Sequence, residues 1–287
     1  MTDRSLPDPI PPPAELHFTN VDPAGCGMAG PRLCWMEAGD PRGAPLLLLH
    51  GIGSNSMGWR FVQAGMPECR TIAWNAPGYF LSDPMAAEAP AAEDYARAAV
   101  ALLDHLGIAR AHVVGSSFGS MIGLVLGARH AGRVASLTLL GGSRGQRWKP
   151  PEERTRMLAM RTASVAEGGV GLARDRWSNL VAPDTDPVVV DLVRRVLAAT
   201  NPAAMLQAAR CSDATDSMDF AGDVQAASLL VCGTLDRVNP TEVSRALAGA
   251  MPRGRLVELD GIGHQAKLEA PRPVISLIRR QVEENPA

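Results

Sequence analysis

The sequence lacks the features that mark several protein classes. No run of about 20 apolar residues is present that could cross a membrane, and residues 1–13 do not have the charged and then apolar layout of a signal peptide. A net charge of −2 gives no basic surface for nucleic acid. Neither a C-x-x-C nor an H-E-x-x-H pattern occurs, so we expect no metal site.

The cysteines are too scattered for a disulfide framework. There are five of them, an odd number without paired spacing: Cys26, Cys34, Cys69, Cys211 and Cys232. Such a set favours reduced thiols, which are typical of the cytoplasm. We therefore expect a cytoplasmic protein without a membrane partner.

Short apolar segments alternate with amphipathic segments over most of the chain. The apolar segments predict strands over residues 32–38, 45–50, 70–74, 111–115, 134–140, 227–232 and 255–259. Helical spacing of apolar residues predicts helices over 91–106, 117–130, 241–250 and 271–283. Wholly apolar strands between such helices are typical of an α/β fold, in which helices cover both faces of a parallel sheet.

The alternation stops at residue 142 and resumes near residue 221. Residues 143–220 contain helical patches and no convincing strand, which predicts a helical cap inserted into the fold. The core is then predicted over residues 15–142 and 221–287. Residues 1–14 are polar and rich in proline, so we expect a flexible N-terminal arm.

Gly115-Ser116-Ser117-Phe118-Gly119 stands where a predicted strand meets a predicted helix. This G-x-S-x-G pattern is typical of a tight turn that holds a serine in a strained backbone conformation with its hydroxyl exposed. Glycine flanks the serine because side chains there would collide with the neighbouring strand and helix. Ser117 is therefore the candidate nucleophile.

A serine nucleophile needs a base, and the base needs a carboxylate that fixes its tautomer. His264 follows a late strand in a glycine-rich loop, and Asp236 follows the preceding strand. Asp260 and Asp223 are alternative carboxylates, but Asp260 adjoins the strand end and Asp223 precedes its strand. The order serine, aspartate, histidine resembles that of α/β-hydrolases, so we predict Ser117, Asp236 and His264 as the catalytic residues.

An oxyanion formed at Ser117 requires two N–H donors. One is expected from Phe118, directly after the nucleophile, and the other from Ile52 in the glycine-flanked loop 50–53. His50 in the same loop is expected to form hydrogen bonds within the loop rather than to transfer protons.

Taken together, these motifs resemble those of the α/β-hydrolase superfamily. The resemblance implies a mostly parallel eight-stranded sheet flanked by helices, with a helical cap inserted after strand 6. The chain is similar to small bacterial esterases, 3-oxoadipate enol-lactonases and meta-cleavage C–C hydrolases. The segments that carry the resemblance are His50–Gly53, Asn75–Asp83, Gly115–Gly119, Gly233–Asp236 and Gly261–His264.

The resemblance predicts a serine hydrolase that acts on a small-molecule carboxylic ester or lactone and needs no cofactor. One alternative is hydrolysis of a C–C bond in a vinylogous diketone by the same three residues. Another is a ligand-binding protein that has the fold without catalysis. The sequence leaves the oligomeric state open, and a homodimer is one outcome that it allows.

Several residues are candidates for substrate binding. Two arise just beyond the 50–53 loop, Met57 and Trp59, and the others come from the predicted cap: Trp148, Met157, Met160 and Trp177. A substrate carboxylate could be bound by arginines near the start of the cap: Arg144, Arg147 and Arg154.

Overall fold

The computed structural model describes residues 2–286 and is built around one eight-stranded sheet. The order across the sheet is β1-β2-β4-β3-β5-β6-β7-β8. Strand β2 is antiparallel to both of its neighbours, and the other five pairs are parallel. The strands are β1 (Glu15–Asn20), β2 (Arg32–Ala38), β3 (Pro45–Leu49), β4 (Arg70–Asn75), β5 (Ala111–Ser116), β6 (Val134–Leu140), β7 (Ala227–Gly233) and β8 (Gly254–Leu259).

Helices cover both faces of this sheet, which confirms the predicted α/β class. The helices are α1 (Pro23–Cys26), α2 (Arg60–Gly65), α3 (Ala92–His105), α4 (Phe118–Arg129), α5 (Pro151–Ser164), α6 (Gly168–Asp175), α7 (Pro187–Ala198), α8 (Pro202–Ala214), α9 (Met218–Ala221), α10 (Thr241–Ala250), α11 (Ala266–Glu269) and α12 (Pro271–Glu283). Within β3, Leu47 and Leu49 pack with α3 and α4, whereas Leu46 and Leu48 pack with α2 and α12. Alternate side chains thus enter two separate cores, which is why this strand is wholly apolar.

The sequence does not predict strand β1 from its residues. Of the six residues Glu15–Asn20, only Thr19 is buried. An edge strand of this kind shows no alternation between apolar and polar residues, so periodicity gives no signal for it.

The cap lies between β6 and β7, where it is predicted. Helices α5 to α8 form it, and their apolar residues pack with Phe61 and Leu268 of the core. The base of the cap is closed by a β-bridge between Gly145 and Asp216. Helix α9, at the end of the predicted range 143–220, packs against α4 through Phe220 and thus belongs with the core.

The predicted flexible arm contacts both the core and the cap. Arg4 donates a hydrogen bond to the carbonyl oxygen of Gly261 and pairs with Asp184 at 2.9 Å. Leu6 and Ile10 pack against the apolar cluster of the cap. These residues therefore connect the loop after β8 with the cap.

All five cysteines are buried and have free thiols. None of the helices within residues 2–286 has both the length and the apolar character required to cross a bilayer.

Two glycines let helix α4 lie directly against the sheet. A Cβ at Gly119 would lie 2.0 Å from the carbonyl oxygen of Leu49. A Cβ at Gly115 would lie 2.3 Å from the carbonyl oxygen of Gly119. Real side chains do not tolerate such distances from backbone atoms. The turn between β5 and α4 therefore requires glycine at both positions.

We expect Gly119→Ala to lower the free energy of unfolding by about 2 kcal/mol or more, because the backbone must move to admit the methyl group. Gly249→Ala is the matched control, since a Cβ at this position in α10 meets no atom within 4 Å. Alanine is the better helix former, so this control should raise the free energy of unfolding by up to about 1 kcal/mol. Urea denaturation measures both. Equal stability of the two variants would contradict the packing argument.

Two buried histidines are held neutral beside the strands that carry the site. The Nδ1 of His50, after β3, lies 2.9 Å from the carbonyl oxygen of Gly51, and its Nε2 accepts the N–H of Ala76 at 3.0 Å. His112 Nδ1 lies 2.8 Å from Ser136 Oγ. Burial lowers the pKa of each imidazole to about 4. His50 thus forms local hydrogen bonds, as predicted.

These histidines should make the fold sensitive to acid. The unfolded imidazoles bind a proton near pH 6.5, whereas the folded ones remain neutral down to about pH 4. Their full contribution to stability is therefore present above pH 6.5 and is lost as the pH falls toward 4, by up to about 3 kcal/mol for each histidine. In urea denaturation at a series of pH values, His112→Gln should lose less stability on acidification than the parent protein. An unchanged pH dependence would refute this origin of acid sensitivity.

Candidate active site

Ser117 occupies the turn between β5 and α4 in a conformation that few non-glycine residues adopt. Its φ is 54° and its ψ is −116°, and its amide donates a hydrogen bond to the carbonyl oxygen of Leu140 at 2.9 Å. Backbone strain of this kind persists only where the surrounding structure enforces it. The glycine packing of α4 and the hydrogen bond to the end of β6 supply that enforcement. The side chain is partly exposed and lines a cavity.

His264 and Asp236 form a buried pair beside this cavity. His264 Nδ1 lies 2.7 Å from Asp236 Oδ2, and the two side chains are 3% and 0% exposed. The other oxygen, Asp236 Oδ1, accepts the amides of Val238 and Asn239 at 2.8 and 2.9 Å. With the carboxylate so fixed, Nδ1 carries the proton, and Nε2 presents its lone pair. Gly141 packs against both side chains, where a Cβ would lie 3.1 Å from the imidazole.

Ser117 and His264 line the same cavity, which lies between the core and the cap and has a volume of about 380 Å³. Within residues 2–286, no hydrogen bond links Ser117 Oγ to the imidazole. Catalytic hydrogen bonds are often long without substrate and tighten when substrate binds. The structure therefore brings the three predicted catalytic residues to one site.

Ile52 and Phe118 line this cavity together with Ser117. Neither of their amides donates a hydrogen bond within the described part of the chain. The loop of Ile52 approaches the nucleophile closely, because a Cβ on Gly51 would lie 3.0 Å from Ser117 Cβ. Two N–H donors thus remain available at the predicted oxyanion position.

Four of the six apolar residues predicted to bind substrate, Met57, Trp59, Trp148 and Trp177, do not line the cavity, which corrects the sequence interpretation. Trp59 is completely buried and, with Met57, packs into the core beneath α2 and α12. Trp148 is 45% exposed and donates from Nε1 to the carbonyl oxygen of Gly145. Trp177 packs into the apolar cluster of the cap. Each aromatic ring is thus used for packing. Met157 and Met160, the other apolar candidates, do line the cavity.

The arginines suggested for carboxylate binding are occupied by other partners. Arg144 forms two hydrogen bonds to Asp216, at 2.8 and 2.9 Å. Arg154 binds Asp213 in the same way. Arg147 pairs with Asp219. These three ion pairs hold the base of the cap. Asp223, one of the alternative catalytic carboxylates, similarly pairs with Arg129 at 3.1 Å, and Asp260, the other, is exposed.

A different set of arginines lines the cavity: Arg161, Arg176 and Arg237. None of these three has a carboxylate within 4.0 Å in the part of the chain that the structure describes, and no Asp or Glu is among the described residues that line the cavity. Burial lowers the pKa of Arg161, with a further contribution from the nearby charge of Arg176, and burial also lowers the pKa of Arg176. The cavity thus carries positive charge that the protein itself leaves unbalanced.

Glu269, on α11, joins the cap to the loop that precedes this helix. Its Oε2 accepts the amide of Ala182 at 2.8 Å, the hydroxyl of Thr185 at 3.0 Å and the amide of Gly263 at 3.0 Å. Its Oε1 accepts the amide of Gln265 at 3.0 Å. No pattern in the sequence indicates this residue, because its partners lie both in the cap and in the loop and become neighbours only in the fold.

Among residues 2–286, no group of three or more His, Cys, Asp or Glu side chains is arranged to hold a metal ion.

Comparison with known proteins places this geometry in context. A family model described as alpha/beta hydrolase fold matches residues 44–271. A 2-hydroxy-6-oxononadienedioate/2-hydroxy-6-oxononatrienedioate hydrolase of Pseudomonas putida is 23% identical over 245 residues, which cover 81% of this chain and 85% of that protein. The acetyltransferase component of the acetoin cleaving system of Pseudomonas putida is 35% identical over 122 residues. That match covers 42% of this chain and 33% of the relative's length.

Solved structures have the same fold. An esterase from Thermogutta terrifontis superposes with a TM-score of 0.82 at 20% identity and covers 93% of this chain and 98% of its own. An enol-lactonase from Burkholderia xenovorans superposes with a TM-score of 0.81 at 23% identity, and the match covers 93% of this chain and 100% of that protein. The matched family segment extends from the start of β3 to the start of α12. This chain therefore belongs to the α/β-hydrolase fold family.

Proposed function

We propose that this protein is a serine hydrolase that cleaves a carboxylic ester or lactone through an acyl-enzyme intermediate. The observation that carries the proposal is the convergence of three features at one cavity. Ser117 is held in a strained turn, His264 is oriented by Asp236, and two unpaired amides flank the nucleophile. Each feature serves a step of acyl transfer.

The reaction follows from this geometry. Ser117 Oγ attacks the carbonyl carbon of the substrate while His264 Nε2 takes the hydroxyl proton. The amides of Ile52 and Phe118 stabilise the oxyanion. The imidazolium, stabilised by Asp236, then delivers its proton to the leaving alkoxide. In the second half, water attacks the acyl-enzyme while His264 accepts its proton, and His264 then returns this proton to Ser117 Oγ as the bond to the acyl group breaks and the acid is released. These steps need no cofactor.

The unbalanced arginines favour a small-molecule substrate that carries a carboxylate. Arg161 and Arg176 are partly buried at the cavity and lack an ion-pair partner within residues 2–286. A guanidinium binds a carboxylate through two parallel hydrogen bonds, which are stronger than bonds between neutral groups. A substrate anion would therefore occupy a position at which the protein supplies charge and no competing acid.

Hydrolysis of a C–C bond is the second candidate. Several relatives that match about four fifths of the chain are named as hydrolases of dioates, whose two carboxylates suit an arginine-lined cavity. Ser117, His264 and Asp236 would serve this reaction also. Preference for a vinylogous diketone over an ester of the same charge would select this candidate. A ligand-binding role without catalysis is less well supported, because the catalytic set is complete.

The cytoplasmic location expected from the sequence remains part of the proposal, supported by the five free thiols. The oligomeric state stays open.

A fluorophosphonate probe tests the assignment of the nucleophile. We expect stoichiometric labelling of Ser117, identified by peptide mass spectrometry, with concurrent loss of activity on short p-nitrophenyl esters. Ser117→Ala should abolish labelling and lower kcat by about 10⁶-fold, as removal of a nucleophile does in comparable enzymes. Ser178→Ala, at an exposed position in the cap, is the control and should behave as the parent. An adduct on another serine, or undiminished turnover in Ser117→Ala, would refute the assignment.

A matched pair of substrates tests the arginines. For an ester with a terminal carboxylate, Arg161→Gln and Arg176→Gln should each raise KM by about 10- to 100-fold, which is the effect of losing a hydrogen bond to a charged group. For the neutral methyl ester of the same acid, the change should stay within about threefold. Arg147→Gln removes an arginine of the same cap that is already paired with Asp219, and it should leave both KM values unchanged. Equal losses on charged and neutral substrates would rule out carboxylate recognition.

A further inference from the structure

The chain contains 26 arginines but two lysines, Lys149 and Lys267. Lys149 lies on the cap and pairs with Glu153 at 2.5 Å. Lys267, on α11, is one of the largest fully buried side chains of the fold and is 2% exposed. A chain that uses arginine almost everywhere thus places one of its two lysines in the interior, beside the active site.

The contacts of Lys267 join the two loops that carry the nucleophile and the base. Its Nζ donates to Ser116 Oγ at 3.1 Å and to Gln265 Oε1 at 2.9 Å. Ser116 directly precedes Ser117, and Gln265 directly follows His264. The ammonium therefore connects the neighbours of both predicted catalytic residues.

The positive charge of Lys267 has little compensation. No carboxylate lies within 4.0 Å of Nζ among the described residues, and its other neighbour is the ring of Trp59, whose centroid is 5.1 Å away. The charged or titratable groups that face Lys267 are Glu269 on its own helix and His50 after β3. Burial lowers the pKa of Lys267 to about 8, and the charge of Glu269 opposes this effect.

Stability does not explain this arrangement. A buried charge without a carboxylate partner costs free energy of folding, and an apolar side chain of the same length would fill the space without that cost. Arginine would not serve equally, because its planar guanidinium needs more hydrogen-bond partners than two oxygens and an aromatic face provide. The location of the ammonium between Ser116 and Gln265, the neighbours of Ser117 and His264, is therefore the feature that requires a function.

We propose that Lys267 is a positioning residue for hydrolysis, which holds the Ser117 turn against the His264 loop and places a positive charge next to the residue that precedes the nucleophile. This inference rests on the proposed function of Ser117. When Ser117 Oγ loses its proton and the oxyanion forms, negative charge develops at the residue that follows the ammonium's partner Ser116. The fixed charge stabilises that state more than the neutral ground state, so it acts on kcat rather than on substrate binding.

Lys267→Met tests the proposal, because methionine retains the length of the side chain without its charge. We expect kcat on a p-nitrophenyl ester to fall by about 10- to 100-fold while KM stays within about threefold. Lys149→Met, which removes the other lysine, is the matched control and should leave kcat unchanged. If Lys267→Met acted only by disturbing the packing, it would instead lower the free energy of unfolding or the fraction of active protein. Titration with the fluorophosphonate measures that fraction, and kcat is expressed per labelled site.

The pH profile provides a readout that a merely structural role would not change. Activity of the parent should decline as the pH rises through about 8, where Lys267 loses its proton, and Lys267→Met should lack this decline. In the parent protein, ¹³C-labelled lysine gives two ε-carbon signals, and Lys149→Arg identifies that of Lys267. The pH at the midpoint of the titration of the Lys267 signal should coincide with the pH at which half of the activity is lost. This measurement remains decisive even if Lys267→Met does not fold.

The outcomes separate the two proposals. If the fluorophosphonate labels Ser117 but Lys267→Met has the kcat and the pH profile of the parent, the role of Lys267 is refuted and the serine mechanism stands. Mismatched midpoints of the Lys267 signal and the activity also refute this role. If the parent protein is neither labelled at Ser117 nor active on any ester, lactone or diketone, both proposals fall.

Discussion

The close contact between helix α4 and strand β3 is the constraint on which the active site depends. Because Gly119 has no side chain, the start of the helix rests against the carbonyl oxygen of Leu49. The chain must then turn at Ser117 with a positive φ to enter the helix. The same contact brings the loop of Ile52, which follows β3, beside the nucleophile. The turn at Ser117 and the approach of the Ile52 loop thus arise from one piece of backbone packing.

Parallel strands bring the remaining groups to the same edge. Ile52, Ser117, Asp236 and His264 follow β3, β5, β7 and β8, and the carboxyl ends of parallel strands lie together at one side of a sheet. Strand β6 lies between them and contributes no reactive side chain. Instead, Gly141 at its end leaves the space that the imidazole and carboxylate occupy. Residues far apart in sequence therefore meet without any long loop.

The amino-acid sequence predicts those features that depend on the spacing of residues within a short segment. Ser117 is identified by glycines at fixed spacing, and β3 by a run of apolar residues that two covered faces require. Strand β1 was not predicted from its residues, because an edge strand with one buried residue has no such pattern. The pocket could not be predicted for a different reason. The cap helices can turn either face to the cavity, so the adjacent residues Arg176 and Trp177 are indistinguishable until the helices are packed.

The cap and the loop that carries His264 are connected through one side chain. One carboxylate, that of Glu269, accepts hydrogen bonds from Ala182 and Thr185 in the cap and from Gly263 and Gln265 on either side of the histidine. A movement of this part of the cap that breaks the first two bonds also frees the carboxylate that anchors the others. The position of the loop around His264 thus depends on the position of residues 182–185 of the cap, because both are held by the same carboxylate.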